Sequence, residues 1–75
     1  MAKKPHIHTV PHDDGWANRR EGRSRVYETF DTQAQAQASA REDAVRDQTE
    51  HLTHGRNGQI RERNSYGNDP HPPAG

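Results

Sequence analysis

Residues 54–67 read HGRNGQIRERNSYG, and the register of the hairpin they form decides which side chains the rest of the chain can bury. A two-residue Asn57-Gly58 turn of type I′ is the strongest short hairpin signal. It would pair Arg56 with Gln59 and Gly55 with Ile60, sending Leu52 and Ile60 to opposite faces. A three-residue loop, Arg56-Asn57-Gly58, with Gly58 left-handed in a bulge, pairs Gly55 with Gln59 and His54 with Ile60 instead. Leu52, His54 and Ile60 then share one face. A chain this poor in large apolar side chains favours that register, so the bulged hairpin is expected.

Upstream, DTQAQAQASAREDAVRDQ, residues 31–48, is rich in alanine and free of Gly and Pro, as a helix requires. Thr32 followed by Gln35 has the form of a capping box, with Asp31 as a competing N-cap. At 100° per residue, Ala34, Ala36, Ala38, Ala40, Ala44 and Val45 lie on a broad arc shared with Gln37, Arg41 and Gln48. Gln35, Ser39, Glu42, Asp43 and Arg46 lie opposite. An alanine face lets a sheet approach closely but contributes little burial per residue.

Three strands in a meander precede this helix. HIHTV reads as a β-branched strand ending at Pro11, and PHDDG is a turn-forming run that leads back through WANRR. If Val10 lies opposite Trp16, His8 faces Asn18 and a five-residue loop closes the pair. EGRS turns again into RVYETF, where Val26, Glu28 and Phe30 share one face and Arg25, Tyr27 and Thr29 the other. The expected architecture is α+β in the order β-β-β-α-β-β, with a small antiparallel sheet packed on one helix. Its core would be Trp16, Val10, Val26, Phe30, Ala40, Ala44, Leu52 and Ile60. Residues 1–5 read as a flexible leader, 6–67 as the single domain and 68–75 as a Pro-rich C-terminal tail, either extended or folded back over the sheet through Tyr66 and the prolines.

Composition bounds what such a domain can do. At 75 residues with eight alanines, the chain has one small core and marginal stability, which self-association would improve. Without cysteine, disulfides and thiolate metal sites are excluded. No apolar run exceeds two residues, which excludes a transmembrane helix and the apolar core of a secretory signal, so a cytoplasmic chain with no membrane partner is expected. Eleven basic and eleven acidic residues cancel, although the helix segment is acidic and the strand segments are basic.

The run from His8 through PHDDGWA, then FDTQAQA, then HGRNGQIRERNSYGNDPHPPAG resembles a prokaryotic family catalogued as domain of unknown function 2188. The resemblance covers roughly residues 7–75 and implies a small strand-and-helix domain and an ordered reason for the tail. It implies no activity, ligand or catalytic residue. Asn18 and Gln37 stand where the family pattern carries apolar side chains, and His71 and Ala74 where it carries Phe and Lys. The first two departures imply a thinner core.

The residues bear on four kinds of chemistry. His6 and His8 project from one face of a strand, with His12 nearby and His51 and His54 near the later hairpin, yet no cysteine, helical His pair or carboxylate completes a metal site. Solvated histidines, with His54 as the buried one, are the simpler expectation, and no cofactor is expected. Ser24, Ser39 and Ser65 lack a nucleophile setting, Asp13 and Asp14 read as turn residues, and GRNG lacks the lysine of a phosphate loop, so no enzyme is expected. The reading preferred is a small non-enzymatic protein-interaction or self-associating module, its partner an unspecified protein or a second copy. It would use a helix-free sheet face with Ile7, Tyr27 and the strand edges. The alternative is a nucleic-acid-binding domain with a basic sheet face, on which Arg19, Arg61 and Arg63 meet phosphates and Tyr27 or Trp16 offers a stacking surface.

Overall fold

The computed structural model of the chain describes residues 4–66. Five strands, β1 (Ile7–His12), β2 (Gly15–Arg20), β3 (Val26–Phe30), β4 (Glu50–His54) and β5 (Ile60–Ser65), form one sheet, and the helix α1 (Gln33–Asp47) joins β3 to β4. The chain order matches expectation; the sheet does not. Its spatial order is β3-β2-β1-β4-β5, and β4 runs parallel to β1, with Ile7 beside His51 and Thr9 beside Thr53. The sheet is therefore mixed. A single helical crossover returns the chain in the direction in which it left, so β4 is parallel to β3; the meander makes β1 parallel to β3, and β4 has docked against β1.

The helix begins as expected. Thr32 is the N-cap, its hydroxyl accepting from the Gln35 amide while the Gln35 side chain accepts from the Thr32 amide. It ends on Gln48 in the left-handed region, φ 57°. Only Ala36, Ala40 and Ala44 of the broad alanine arc are buried, a stripe of i, i+4 spacing, and Val45 is half exposed. The narrow stripe lets the helix sit close to β1 and β2, and Ile7 fills the space between Ala40 and Ala44, with Tyr66 packed against them.

The β1–β2 hairpin departs from expectation by one residue. Trp16 pairs with Pro11 and Val10 with Ala17, and His12 and Gly15 close a two-residue Asp13-Asp14 loop in which Asp13 adopts φ 52°. A slip of one exchanges the faces of a strand. Ile7 and Thr9 consequently point into the helix layer, fully buried, and Val10 lies on the helix-free face and is only half-buried. The extra residue in β3 between the partners of Asn18 and Arg19 is Tyr27, so the alternation fails there too. Tyr27 donates its hydroxyl to Asp43 of the helix, while Val26 is aligned with Arg19 on the far face and is half-buried, as is Phe30. Burial and the Asp43 carboxylate push the Tyr27 phenol upward in pKa.

The later hairpin follows its expected register. Gly55 donates to the Gln59 carbonyl, His54 is aligned with Ile60, and Gly58 is left-handed at φ 87°. Ile60 nonetheless remains 50% exposed and is no core residue, because β5 is an edge strand and nothing among the described residues covers its first position. Leu52 is buried on the helix-free face.

The interior contains a polar layer. Thr9, Asn18, Thr49, His51 and Thr53 are all buried. The Thr9 hydroxyl donates to Asn18 Oδ1 at 2.6 Å, so its oxygen accepts from His51 Nε2 at 2.7 Å. Asn18 Nδ2 donates to the Ala36 carbonyl of the helix, and Gln37 Nε2 donates to Thr53 Oγ1. The two polar residues that promised a thinner core thus tie the helix to the sheet. At the other end of the helix, Arg46 and then Arg20 bond to Asp47 and hold its carboxyl down to about 2.

The buried histidine is His51, and His54 is partly exposed, the reverse of expectation. Position 51 faces the helix and position 54 does not. Burial pushes the His51 imidazole below its ordinary value of 6.5. Below that value the unfolded chain takes up a proton that the folded chain refuses, so this contribution to stability is complete above it and is lost as pH falls toward the lowered folded value. The thermal midpoint is expected to fall between about pH 7 and about pH 5, and less steeply in His51→Gln. Identical slopes for the two proteins in a calorimetric scan would remove His51 as the cause.

Candidate functional site

The four residues expected to make a basic face do not share one. Arg19 and Arg63 lie on the helix-free face, aligned with His8 and Leu52 respectively. Arg19 donates to the Arg23 carbonyl, and Arg63 lies 3.8 Å from Glu50. Tyr27 is on the helix side, and Arg61 is the extra residue of the β5 bulge, since Glu62 is aligned with Thr53 and Ile60 with His54. The bulge turns Arg61 away from Arg63 and across the hairpin. Its side chain lies over Gly55, where a β-carbon would come within 2.8 Å of the Arg61 Cδ.

That rotation assembles a cleft at the end of the sheet that holds the β4–β5 turn. Trp16 at the start of β2, Gln33 at the start of the helix, and Arg56, Asn57, Gln59, Ile60 and Arg61 of the hairpin enclose about 650 Å³. The Arg56 guanidinium sits 5.4 Å from the centre of the Trp16 ring, and Trp16 itself is nearly buried, so the indole forms the wall on which Arg56 rests. No carboxylate lines the cleft, and neither Arg56 nor Arg61 makes an ion pair among the described residues. Arg61 also lines the smaller cleft that adjoins on the helix side, together with Glu62, to which Gln37 donates. Arg20 and Arg46, by contrast, are engaged on Asp47 and Arg19 on a carbonyl, while other surface arginines such as Arg25 and Arg41 make no ion pair among the described residues either.

The amides have fixed places. Asn57 Oδ1 accepts from the Gln59 amide and holds the turn, and Gln33 Nε2 donates to the His54 carbonyl. Arg56 and Gln59 were absent from the sequence-based candidates, because the contact of Arg56 with Trp16 and the cleft that Gln59 lines depend on how the hairpin end packs on β2, which local spacing does not encode.

The histidines among the described residues do not converge on a metal site. His6 Nδ1 accepts from the Glu50 amide, and His12 lies beside Asp13. His8 Nδ1 is 2.8 Å from His54 Nε2, His8 Nε2 is 3.0 Å from Glu21, and His54 Nδ1 is 3.1 Å from the Gly58 carbonyl. Among the described residues no three His, Cys, Asp or Glu side chains are grouped to hold an ion.

Residues 7–66 match the profile of a bacterial family described as "Uncharacterized protein conserved in bacteria (DUF2188)". The chain belongs to that family. The match spans the whole of the DUF2188 sheet and helix, from the first residue of β1 to Tyr66. No curated protein and no solved structure matches the chain. The expected tail of this DUF2188 domain, 68–75, lies outside the described residues, and no helix among the described residues is long and apolar enough to cross a membrane.

Proposed function

We propose that this domain is a non-enzymatic interaction module that holds an anionic group of its partner in the cleft between Trp16 and the β4–β5 hairpin. The observation that carries the reading is the pair of guanidiniums, Arg56 and Arg61, in a shared cleft that no carboxylate lines among the described residues and with neither in an ion pair there. Guanidiniums bind phosphate or carboxylate oxygens with two parallel hydrogen bonds, and a pre-positioned pair loses little side-chain entropy in doing so. Burial of Trp16 and the passage of Arg61 over Gly55 provide that pre-positioning.

Self-association through strand edges has less support. Both edge strands carry an extra residue, Tyr27 in β3 and Arg61 in β5, and such bulges twist an edge out of register with an incoming strand. β5 adds the charges of Arg61, Glu62 and Arg63. Ile7 and Tyr27, the side chains expected to make a docking face, are engaged with the helix.

The test is titration of the labelled full chain with pyrophosphate, followed on the arginine Nε–H resonances. Arg56 and Arg61 are expected to move, and Arg56→Ala with Arg61→Ala together to weaken binding by about a hundredfold at low salt. Unchanged affinity in the double variant would overturn the reading.

A further inference from the structure

Resting on that anion-binding reading, the geometry points to a nucleotide as the occupant: a terminal phosphate held by Arg56 and Arg61, with its base laid against the exposed Ile60 side chain of the cleft. Three features beyond the guanidiniums select this chemistry. The first is charge. Two unpaired guanidiniums suit a dianionic phosphate monoester, whereas a single carboxylate satisfies one.

The second is the apolar surface. Ile60 is 50% exposed and lines the cleft, beside the Trp16 ring that Arg56 covers. A free phosphate has no use for that ledge; a flat, weakly hydrated base does. Base stacking against apolar and aromatic side chains is tolerant of base identity. The cleft is open to solvent, and its volume of about 650 Å³ leaves room for a mononucleotide laid along it.

The third is polarity without charge. Gln59, Gln33 and Asn57 place amides around the same cleft, and an amide both donates and accepts, as the edges of bases require. An acidic peptide fits less well. Peptides beside a sheet edge commonly bind by adding a strand, and the bulge at Arg61 interrupts the β5 ladder next to the cleft.

The experiment uses the full chain, with Trp16 indole, Ile60 methyl and arginine resonances as reporters. The probes are adenosine 5′-monophosphate, uridine 5′-monophosphate, inorganic phosphate, trithymidylate with and without a 5′-phosphate, and hexaglutamate. Nucleoside monophosphates are expected to bind about tenfold more tightly than inorganic phosphate, and Ile60→Ser is expected to abolish that advantage while phosphate binding persists. Ile60 is exposed, so the variant should fold, and a retained amide spectrum checks this. Preference for the 5′-phosphorylated strand over the mononucleotide would assign the site to strand ends, and the reverse to free nucleotides; either supports the inference. Equal affinity for nucleotide and inorganic phosphate, or binding of hexaglutamate alone, would overturn the inference and leave the anion-binding reading standing. No response to any anion would overturn both.

Discussion

Ile7→Ala is expected to cost about 2–5 kcal/mol, the usual range for truncating a fully buried isoleucine. A 75-residue domain has in total roughly 4–11 kcal/mol to lose, so the variant should be marginal at room temperature and its midpoint should fall by about 10–30 °C. Ile7 is fully buried and is the large side chain of the cluster it forms with Ala40 and Ala44 among the described residues; alanines on the helix have no atoms with which to fill the void. Val10→Ala is the control, because Val10 is half-buried on the other face and should cost less than half as much. Urea unfolding of the two variants decides the β1 register directly. Were Val10→Ala the more damaging, the Val10-to-Trp16 pairing would be restored and the helix face of β1 exchanged.

The second large effect is counter-intuitive. Asn18→Leu puts an apolar side chain at a fully buried site, yet it is expected to destabilise by about 2–4 kcal/mol. Both ends of the amide are used: Oδ1 accepts from Thr9, and Nδ2 donates to the Ala36 carbonyl. A leucine there leaves the Thr9 hydroxyl without its acceptor and adds branches where the helix stands closest. Because removing both members of a buried pair costs less than removing one, Thr9→Val should recover part of the loss in the double variant. Recovery stays partial, since His51 would keep only the longer contact to Thr53, 3.4 Å. A stabilised Asn18→Leu would show that the polar layer is an imperfection of the core and not a fastening.

Much of this fold was legible because some signals admit one physical solution. The capping box of Thr32 and Gln35 reads locally, and so does the bulged hairpin, since Gly58 alone among Arg56, Asn57 and Gly58 takes a left-handed backbone without penalty. The parallel pairing of β4 with β1 was not legible, because strand order depends on which neighbour the crossover reaches and no side chain in EHLTH states it. The β1–β2 register failed for a local reason. An Asp-Asp pair is a weak signal for a two-residue turn, and Asp13 adopts φ 52° without the glycine or asparagine that would have announced it. That slip moved Ile7 from an imagined docking face into the core. The candidate site was half legible: Arg61 belongs to it, but period-two alternation put Arg61 beside Arg63 and concealed the bulge that separates them. Arg56 carried no local signal, since its contact with Trp16 joins parts of the chain 40 residues apart.

The line of contacts from Glu21 through His8 and His54 to Gly58 has a consequence that comes from counting hydrogens. A carboxylate and a carbonyl terminate the line, and both can only accept, so His8 Nε2 and His54 Nδ1 must each carry a hydrogen. The central contact, His8 Nδ1 to His54 Nε2, needs one more. Three contacts thus need three hydrogens on four ring nitrogens, and two neutral imidazoles bring only two. With the third hydrogen, the line closes from the β2–β3 turn to the β4–β5 turn; without it, one contact must open. The loose end is then the Glu21 turn, the seam between the two rings, or Gly58, two residues from Arg56.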